Sequence, residues 1–355
     1  MKKVAIIGIV GVPAHYGGFE TLVDNIIGIN SSNDVEYNIF CSAKSYPELI
    51  KQYKGAKLHY VSLKANGFQS IFYDIISMLK ISNKYDVAII LGTSGCIFLP
   101  IFRFYYRHRI IINIDGLEHR RKKWGRFARW FLWQSERIAV KWADYIIADN
   151  KEIQKYIKET YRKESVMIAY GGDHAIKDIP EEIQNMILNK YGVEEGKYAV
   201  SVCRIEPENN CHVILDAFSK TNKVLLFIGN WEKNNYGRNL KTKYANCPNL
   251  ILCEPEYDLD ILYCLRKNAS VYIHGHSAGG TNPSLVEAMS IGCNILAYDV
   301  IYNRETTHNQ AQYFSDTDDL IKKIPFISNN GGTMKRIAKK NYMWLHIAKQ
   351  YEALY

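Results

Sequence analysis

No run of this sequence is long and apolar enough for a membrane-spanning helix. The uncharged stretch Val87 to Phe102 contains Gly, Thr, Ser and Pro and falls short of the ~20 residues a span needs. No Cys-x-x-Cys occurs. The eight cysteines, at 41, 96, 203, 211, 247, 253, 264 and 293, stand mostly in apolar, strand-like runs. That pattern points to buried free thiols in a reducing cytoplasm and away from a zinc site. There is no internal repeat and no low-complexity tract. The full Gly-x-Gly-x-x-Gly of a dinucleotide fold is also missing, and the second apolar run ends in Phe40-Cys41 rather than an acid. The opening MKKVAIIGIVGVPA has the make-up of a signal peptide, but its apolar run is short and broken by Gly8 and Gly11. A Gly-Gly and a helical pattern follow at once, so a first buried strand is expected instead.

What is present fits two domains. The 355 residues exceed what one core usually holds, and nearly half are hydrophobic. The formal charge of +9 is concentrated: residues 103–142 hold eleven Lys/Arg against Asp115, Glu118 and Glu136. A local anionic partner follows more naturally than general solubility.

Short apolar runs alternate with helical patterns. VAIIGI, EYNIF, KLHYV, DVAIIL, RIIIN, DYIIA and SVMIA fill the first half; YAVSVC, VLLFIG, LILC, SVYIH, NILAY and AQYF fill the second. Continuous apolar strands between helices mean parallel sheets covered on both faces, here two doubly wound α/β domains. The boundary is expected in the polar, Gly-rich segment 171–182. The expected division is 1–175, 176–335 and a last helical piece, 336–355, packing back towards the N-terminal domain.

Three loops are candidates for ligand binding, because open parallel sheets bind ligands beyond the carboxyl ends of their strands. In HSAGGTNPSLVEAM, Gly279 and Gly280 precede Thr281, Asn282 and Pro283. Pro suits the first helical position and Asn282 or Thr281 can cap. The helix from Ser284 would then aim free N–H groups at a phosphate. Glu287, one turn in, would repel phosphate, so two adjacent hydroxyls such as a ribose diol suit its two oxygens. Arg204 follows the strand YAVSVC and can offer a guanidinium fork to a diphosphate; pairing with Glu206 or Glu208 is the plainer alternative. Gly17 and Gly18 open a helix after the first strand, as a phosphate or sugar contact or as a tight turn.

Asp115, in INIDGLEH, ends a first-domain strand and is a candidate base or sugar contact, or an Asp-Gly turn; Glu118 and His119 follow it. Asp316 to Asp318 and Asp258 to Asp260 precede helical patterns and read as caps rather than metal ligands. His274 and His276 share a loop without further ligands, so no metal is indicated. In residues 120–142 cations alternate with aromatics. Lys122, Lys123, Trp124 and Arg126 suit an acceptor pyrophosphate or an anionic bilayer surface, and a core helix with a solvated basic face is the plainer alternative. No nucleic-acid module accompanies the patch.

Taken together, YGGFE, CRIEPENN…HVIL…GGTNPSLVEAM and ADYIIADNKEIQKYI…VMIAYGGDH resemble the GT-B glycosyltransferases of family 4 over most of the chain. They look most similar to rhamnosyltransferases of bacterial capsule and cell-wall polysaccharides. The resemblance implies two Rossmann-like domains facing a central cleft. It implies an N-terminal domain for the acceptor, an undecaprenyl-pyrophosphate-linked sugar, and a C-terminal domain for dTDP-L-rhamnose. It further implies a cytoplasmic enzyme, peripheral on the inner face of the cell membrane, needing no metal. Arg204 would hold the donor diphosphate, Glu287 the nucleotide ribose, and the amides of Thr281 to Ser284 the phosphates, with Gly17 and Gly18 across the cleft. Two positions depart from the wider family: Gly279 stands where it has a Glu, and Asn209 where it has a Lys. The resemblance implies retention of anomeric configuration by front-face attack. A family 4 transferase using another nucleotide-hexose, a nucleotide-sugar epimerase of similar shape and a non-catalytic sugar-nucleotide binder are the competing readings.

Overall fold

In the computed structural model, residues 1–14, 17–30, 34–114, 116–120 and 124–355 are described. The chain divides into two compact units, Met1–Tyr170 with Trp344–Tyr355, and Gly171–Met343.

The first unit is built on strands β1 (Lys2–Ile7), β2 (Val35–Ser42), β3 (Gln52–Tyr53), β4 (Ala56–Val61), β5 (Val87–Leu91), β6 (Arg109–Asn113), β7 (Tyr145–Ala148) and β8 (Val166–Met167). Their order is β3-β4-β2-β1-β5-β6-β7-β8, parallel except for the β3–β4 edge pair. The second unit carries β9 (Tyr198–Val202), β10 (Val224–Ile228), β11 (Leu250–Cys253), β12 (Val271–His274), β13 (Ile295–Tyr298) and β14 (Gln312–Phe314). This sheet is parallel throughout, in the order β11-β10-β9-β12-β13-β14. The apolar runs of the sequence become these strands because both faces of each sheet are covered, leaving no polar face to alternate with. The eight cysteines are free. No helix among the described residues is long and apolar enough to cross a membrane.

Chain order reverses between β1 and β5 in one sheet and between β9 and β12 in the other. These switch points are where a doubly wound sheet opens a crevice for a ligand. The loop holding Gly17 and Gly18 follows β1; those holding Arg204 and Gly279 follow β9 and β12.

The unit boundary falls five residues earlier than the expected 175/176, because the turn Asp173–Ala175 packs on the helix Pro283–Ile291 of the second unit. Gly172 fits tightly there, since a Cβ on it would lie 2.6 Å from both Ser290 Oγ and the Val286 carbonyl. The expected single last helix is two, Gly331–Asn341 and Trp344–Glu352, with a break at Tyr342 (φ −127°, ψ 40°). The former belongs to the second unit. The latter returns to the first, where Trp344, Ile347, Ala348 and Tyr351 join a core shared with Leu22, Val23 and Ile26 of helix Gly18–Ile29. Asn113 donates to the Tyr351 hydroxyl at 3.0 Å, and Arg109 to the Leu354 carbonyl at 2.7 Å.

Asp74, 3% exposed on helix Gln69–Lys80, accepts from Ser94 Oγ at 2.5 Å and Gly95 N at 3.1 Å. Burial raises its pKa to about 7 against the lowering effect of those two bonds. The folded value exceeds the unfolded one, so folding takes up a proton. Asp74's contribution to stability is full below the unfolded pKa and is lost as pH rises through about 7. Thermal unfolding should therefore show wild type losing ground to Asp74→Asn from about pH 4 to about pH 7, with little further change above that. A constant gap between the two would refute this.

Candidate functional site

The helix Pro283–Ile291 begins as its sequence requires. Asn282 Oδ1 accepts from Ser284 N at 3.0 Å, Pro283 occupies the first turn, and Gly292 closes the helix at φ 95°. The helix tip is less open than the sequence implies, because the N–H groups of Leu285 and Val286 both bond the Asn282 carbonyl, at 3.1 and 3.2 Å. Upstream, the amides of Gly279 and Gly280 have no partner among the described residues, and neither do those of Ala278 and Asn282 that flank this stretch. Gly279 has φ 78°, a conformation that a glutamate would adopt only under strain, and successive free amides of this kind form an anion-binding nest. Thr281 beside them is buried at 4% exposure.

Ser284 turns its hydroxyl inward. It donates to the Val202 carbonyl at 3.0 Å, receives Arg266 Nη2 at 3.0 Å, and lies 2.6 Å from the Tyr272 hydroxyl. The helix tip is thus tied to the last residue of β9, two positions before Arg204. Ser284 serves as that tie, and its N–H is held by the Asn282 cap.

The loops after β9 and β12 are joined directly. Asn209, 3% exposed, donates through Nδ2 to the Arg204 carbonyl at 2.6 Å and pairs through Oδ1 with His276 Nδ1 at 2.7 Å. Asn210 reaches the Gly275 carbonyl at 2.8 Å, and Ser277 N donates to the Glu208 carbonyl at 2.9 Å. A Cβ on Gly275 would lie 2.2 Å from the Asn209 carbonyl oxygen, so only glycine allows this approach. Asn209 is therefore a brace under Arg204. Arg204 itself is half-buried at the rim.

Glu287 lies one turn into the helix with its side chain 14% exposed. Its Oε2 is 2.8 Å from Arg266 Nη2 and its Oε1 is 3.4 Å from His174 Nε2. Burial alone would raise its pKa, but Arg266, with His174 second, outweighs this and holds the carboxyl below its ordinary value. It is ionised wherever the protein is folded near neutrality. His274, 2% exposed, is driven to a pKa of about 3 by burial and by Arg266, so it stays neutral. The sequence reading missed Arg266 and His174. Arg266 carries a signal: with Leu262 and Leu265 it stands on the buried face of helix Leu259–Lys267, where a charge needs a partner.

The remaining candidates lie on the first unit. Gly17 has φ 124°, and a Cβ there would lie 1.9 Å from Glu20 Oε2, so Gly17 makes room for Glu20, whose Oε1 accepts from Val10 N at 2.8 Å. Gly18 starts the helix. Trp124 Nε1 donates to Glu118 Oε2 at 3.0 Å. His119 Nδ1 lies 3.0 Å from Glu136 Oε2, while Tyr156 and Tyr161 donate to Glu136 Oε1 at 2.8 and 2.6 Å. Arg126 opens the helix Arg126–Trp142 in an exposed position. Asp115, Lys122 and Lys123 lie outside the described residues. Asp258 and Asp316 cap their helices through Asp260 N and Asp319 N. No group of three His, Cys, Asp or Glu able to hold a metal occurs among the described residues.

Residues 1–173 match a domain of unknown function (DUF1972), and residues 184–344 match glycosyl transferases group 1. No curated protein gives a significant match. Solved structures with the same fold include sucrose-phosphate synthase from Thermosynechococcus elongatus, 14% identical, with a TM-score of 0.81 over 100% of this chain and 98% of that one. HepE from Anabaena in complex with UDP-glucose is 13% identical, with a TM-score of 0.77 over 100% and 99%. A putative UDP-N-acetylglucosamine 2-epimerase from Listeria monocytogenes is 13% identical, with a TM-score of 0.63 over 99% and 95%. This chain has the GT-B fold of two parallel-sheet α/β domains, and the glycosyl transferases group 1 model matches its residues 184–344.

Proposed function

We propose that the protein is a retaining glycosyltransferase. It moves L-rhamnose from dTDP-L-rhamnose to an undecaprenyl-pyrophosphate-linked sugar in capsule or cell-wall polysaccharide synthesis. The observation that carries the nucleotide-sugar part is the grouping at one switch point of Arg204, the unpartnered Gly279 and Gly280 amides, and an ionised Glu287. The glycosyl transferases group 1 match and the fold shared with HepE, solved with UDP-glucose, support it. The rhamnosyl donor and the lipid acceptor rest on the sequence resemblance.

In this mechanism the bond from the sugar C1 to the diphosphate breaks while a bond from C1 to the acceptor oxygen forms on the same face. The acceptor's proton passes to the departing phosphate oxygen. Arg204 and the glycine amides stabilise the charge that develops there, so no metal is required. Incubation with labelled dTDP-rhamnose, UDP-glucose and a lipid-linked acceptor tests the reading. Transfer of rhamnose supports it, transfer of glucose corrects the donor, and epimerisation or binding without transfer refutes it. Thymidine's deoxyribose offers Glu287 one hydroxyl and uridine's ribose two, so affinities for dTDP and UDP belong in the same panel.

The helix Arg126–Trp142 supports membrane association. It buries Ser135, Glu136, Ala139 and Val140 but exposes Phe127 (77%) and Trp130 (54%) beside the exposed Arg126 and Arg129. Cations flanking interfacial aromatics suit an anionic bilayer at the inner face of the cell membrane. The protein should sediment with anionic vesicles at low salt, and Phe127→Ala/Trp130→Ala should weaken this several-fold. Equal sedimentation with neutral vesicles would count against an electrostatic component.

A further inference from the structure

Arg266 has a guanidinium 2% exposed, yet it is spent on only two side chains, Glu287 and Ser284. Its Nε and Nη1 have no hydrogen-bond partner. A buried cation with unused donors is expensive to keep for stability alone, because a well-packed apolar pair of similar volume is often at least as stable. The arrangement has a direction. Arg266 is enclosed, whereas Glu287 and His174, at 14% and 13% exposure, reach the surface. The guanidinium thus stands behind the carboxylate, and Ser284 and the Tyr272 ring, 5.8 Å away, fix it in turn.

We propose that Arg266 is a positioning residue for the nucleotide site, holding the Glu287 carboxylate in one orientation, charged, with its outward lone pairs free for the nucleoside's hydroxyls. This rests on reading Glu287 as the sugar anchor of the nucleoside. Each carboxylate oxygen has two acceptor sites. Arg266 takes one on Oε2 and His174 faces one on Oε1, which leaves one on each oxygen for a ligand. The lock spares the ligand the entropy of ordering a flexible glutamate and the desolvation of a mobile charge. Other titratable groups facing Glu287 are few. Helix Leu259–Lys267 contributes Arg266, the turn Asp173–Ala175 contributes His174 beside Asp173, and β12 contributes Tyr272. Helix Gly331–Asn341, also packed on Pro283–Ile291, directs Lys335 towards Gly292 at the far end.

The test is calorimetric binding of UDP and dTDP to the full chain and to the variants Arg266→Gln, Arg266→Lys, Glu287→Gln and Arg266→Gln/Glu287→Gln, with thermal unfolding as a folding check. Arg266→Gln should weaken binding roughly tenfold near pH 6 and less near pH 8, because an uncompensated buried Glu287 takes up a proton. Arg266→Lys keeps a cation without the fork and should lose affinity a few-fold at both. The double variant should bind no worse than Glu287→Gln, since a residue acting only through Glu287 has nothing left to act on. If Arg266→Gln does not fold, Arg266→Lys carries the single-variant arm. Unchanged affinity in the Arg266 variants, or a further loss from Arg266→Gln in the Glu287→Gln background, overturns the proposal. Unchanged affinity in Glu287→Gln itself overturns the reading of the site beneath it.

Discussion

Arg204→Ala should lower sugar-transfer turnover by about a hundredfold, the scale of losing one donor aimed at developing charge. The half-buried side chain stands two residues beyond β9, beside the helix tip that Ser284 ties to Val202. Its carbonyl is held by Asn209. The backbone is therefore fixed independently of the guanidinium, and truncation should leave the loops in place. The loss should then appear mainly in kcat, as expected for an interaction that strengthens as the diphosphate departs. Single-turnover transfer with the donor saturating isolates the step. Near-normal turnover would remove Arg204 from the chemistry.

Asn209→Lys should unfold the rim rather than repair it, although the wider family that this chain resembles has a lysine there. Asn209 is 3% exposed and bridges the Arg204 carbonyl and His276. A lysine has no acceptor for His276, loses the bond geometry to Arg204, and brings a charge into a site built for a neutral amide. Two lost buried hydrogen bonds and a stranded partner amount to about 3 kcal/mol, or on the order of 6–12 °C in a domain of this size. Differential scanning calorimetry measures it. An unchanged Tm with tighter UDP or dTDP binding would show that a cation at 209 reaches the phosphates, and the brace would be the wrong assignment.

Most of the fold was legible because buried parallel strands write themselves as unbroken apolar runs. Each of the thirteen runs named from the sequence contains or overlaps a strand, from VAIIGI in β1 to AQYF in β14. The two-residue β3, an antiparallel edge, has too little apolar sequence to be seen. The break at Tyr342 was invisible for another reason. The helical period runs on across it, and only the separate units to which the buried Met334 and Trp344 belong decide where it stops. In the site, local chemistry was readable: Asn282 as cap, Pro283 in the first turn, Gly279 as a bare position. The partners of Glu287 were not, because His174 and Arg266 lie 113 and 21 residues before it and meet it only through the packing of a turn and a helix. The same holds for the capped amides of Leu285 and Val286, which moved the free donors upstream to Gly279 and Gly280.

The return of Trp344–Glu352 to the first unit bears on how the chain is made. The ribosome finishes residues 1–170 early, yet the apolar flank of helix Gly18–Ile29 that Trp344, Ile347 and Tyr351 cover stays bare while the whole second unit is synthesised. For those seconds the nascent protein offers a sticky surface, and a chaperone that binds aliphatic and aromatic side chains would find its target there.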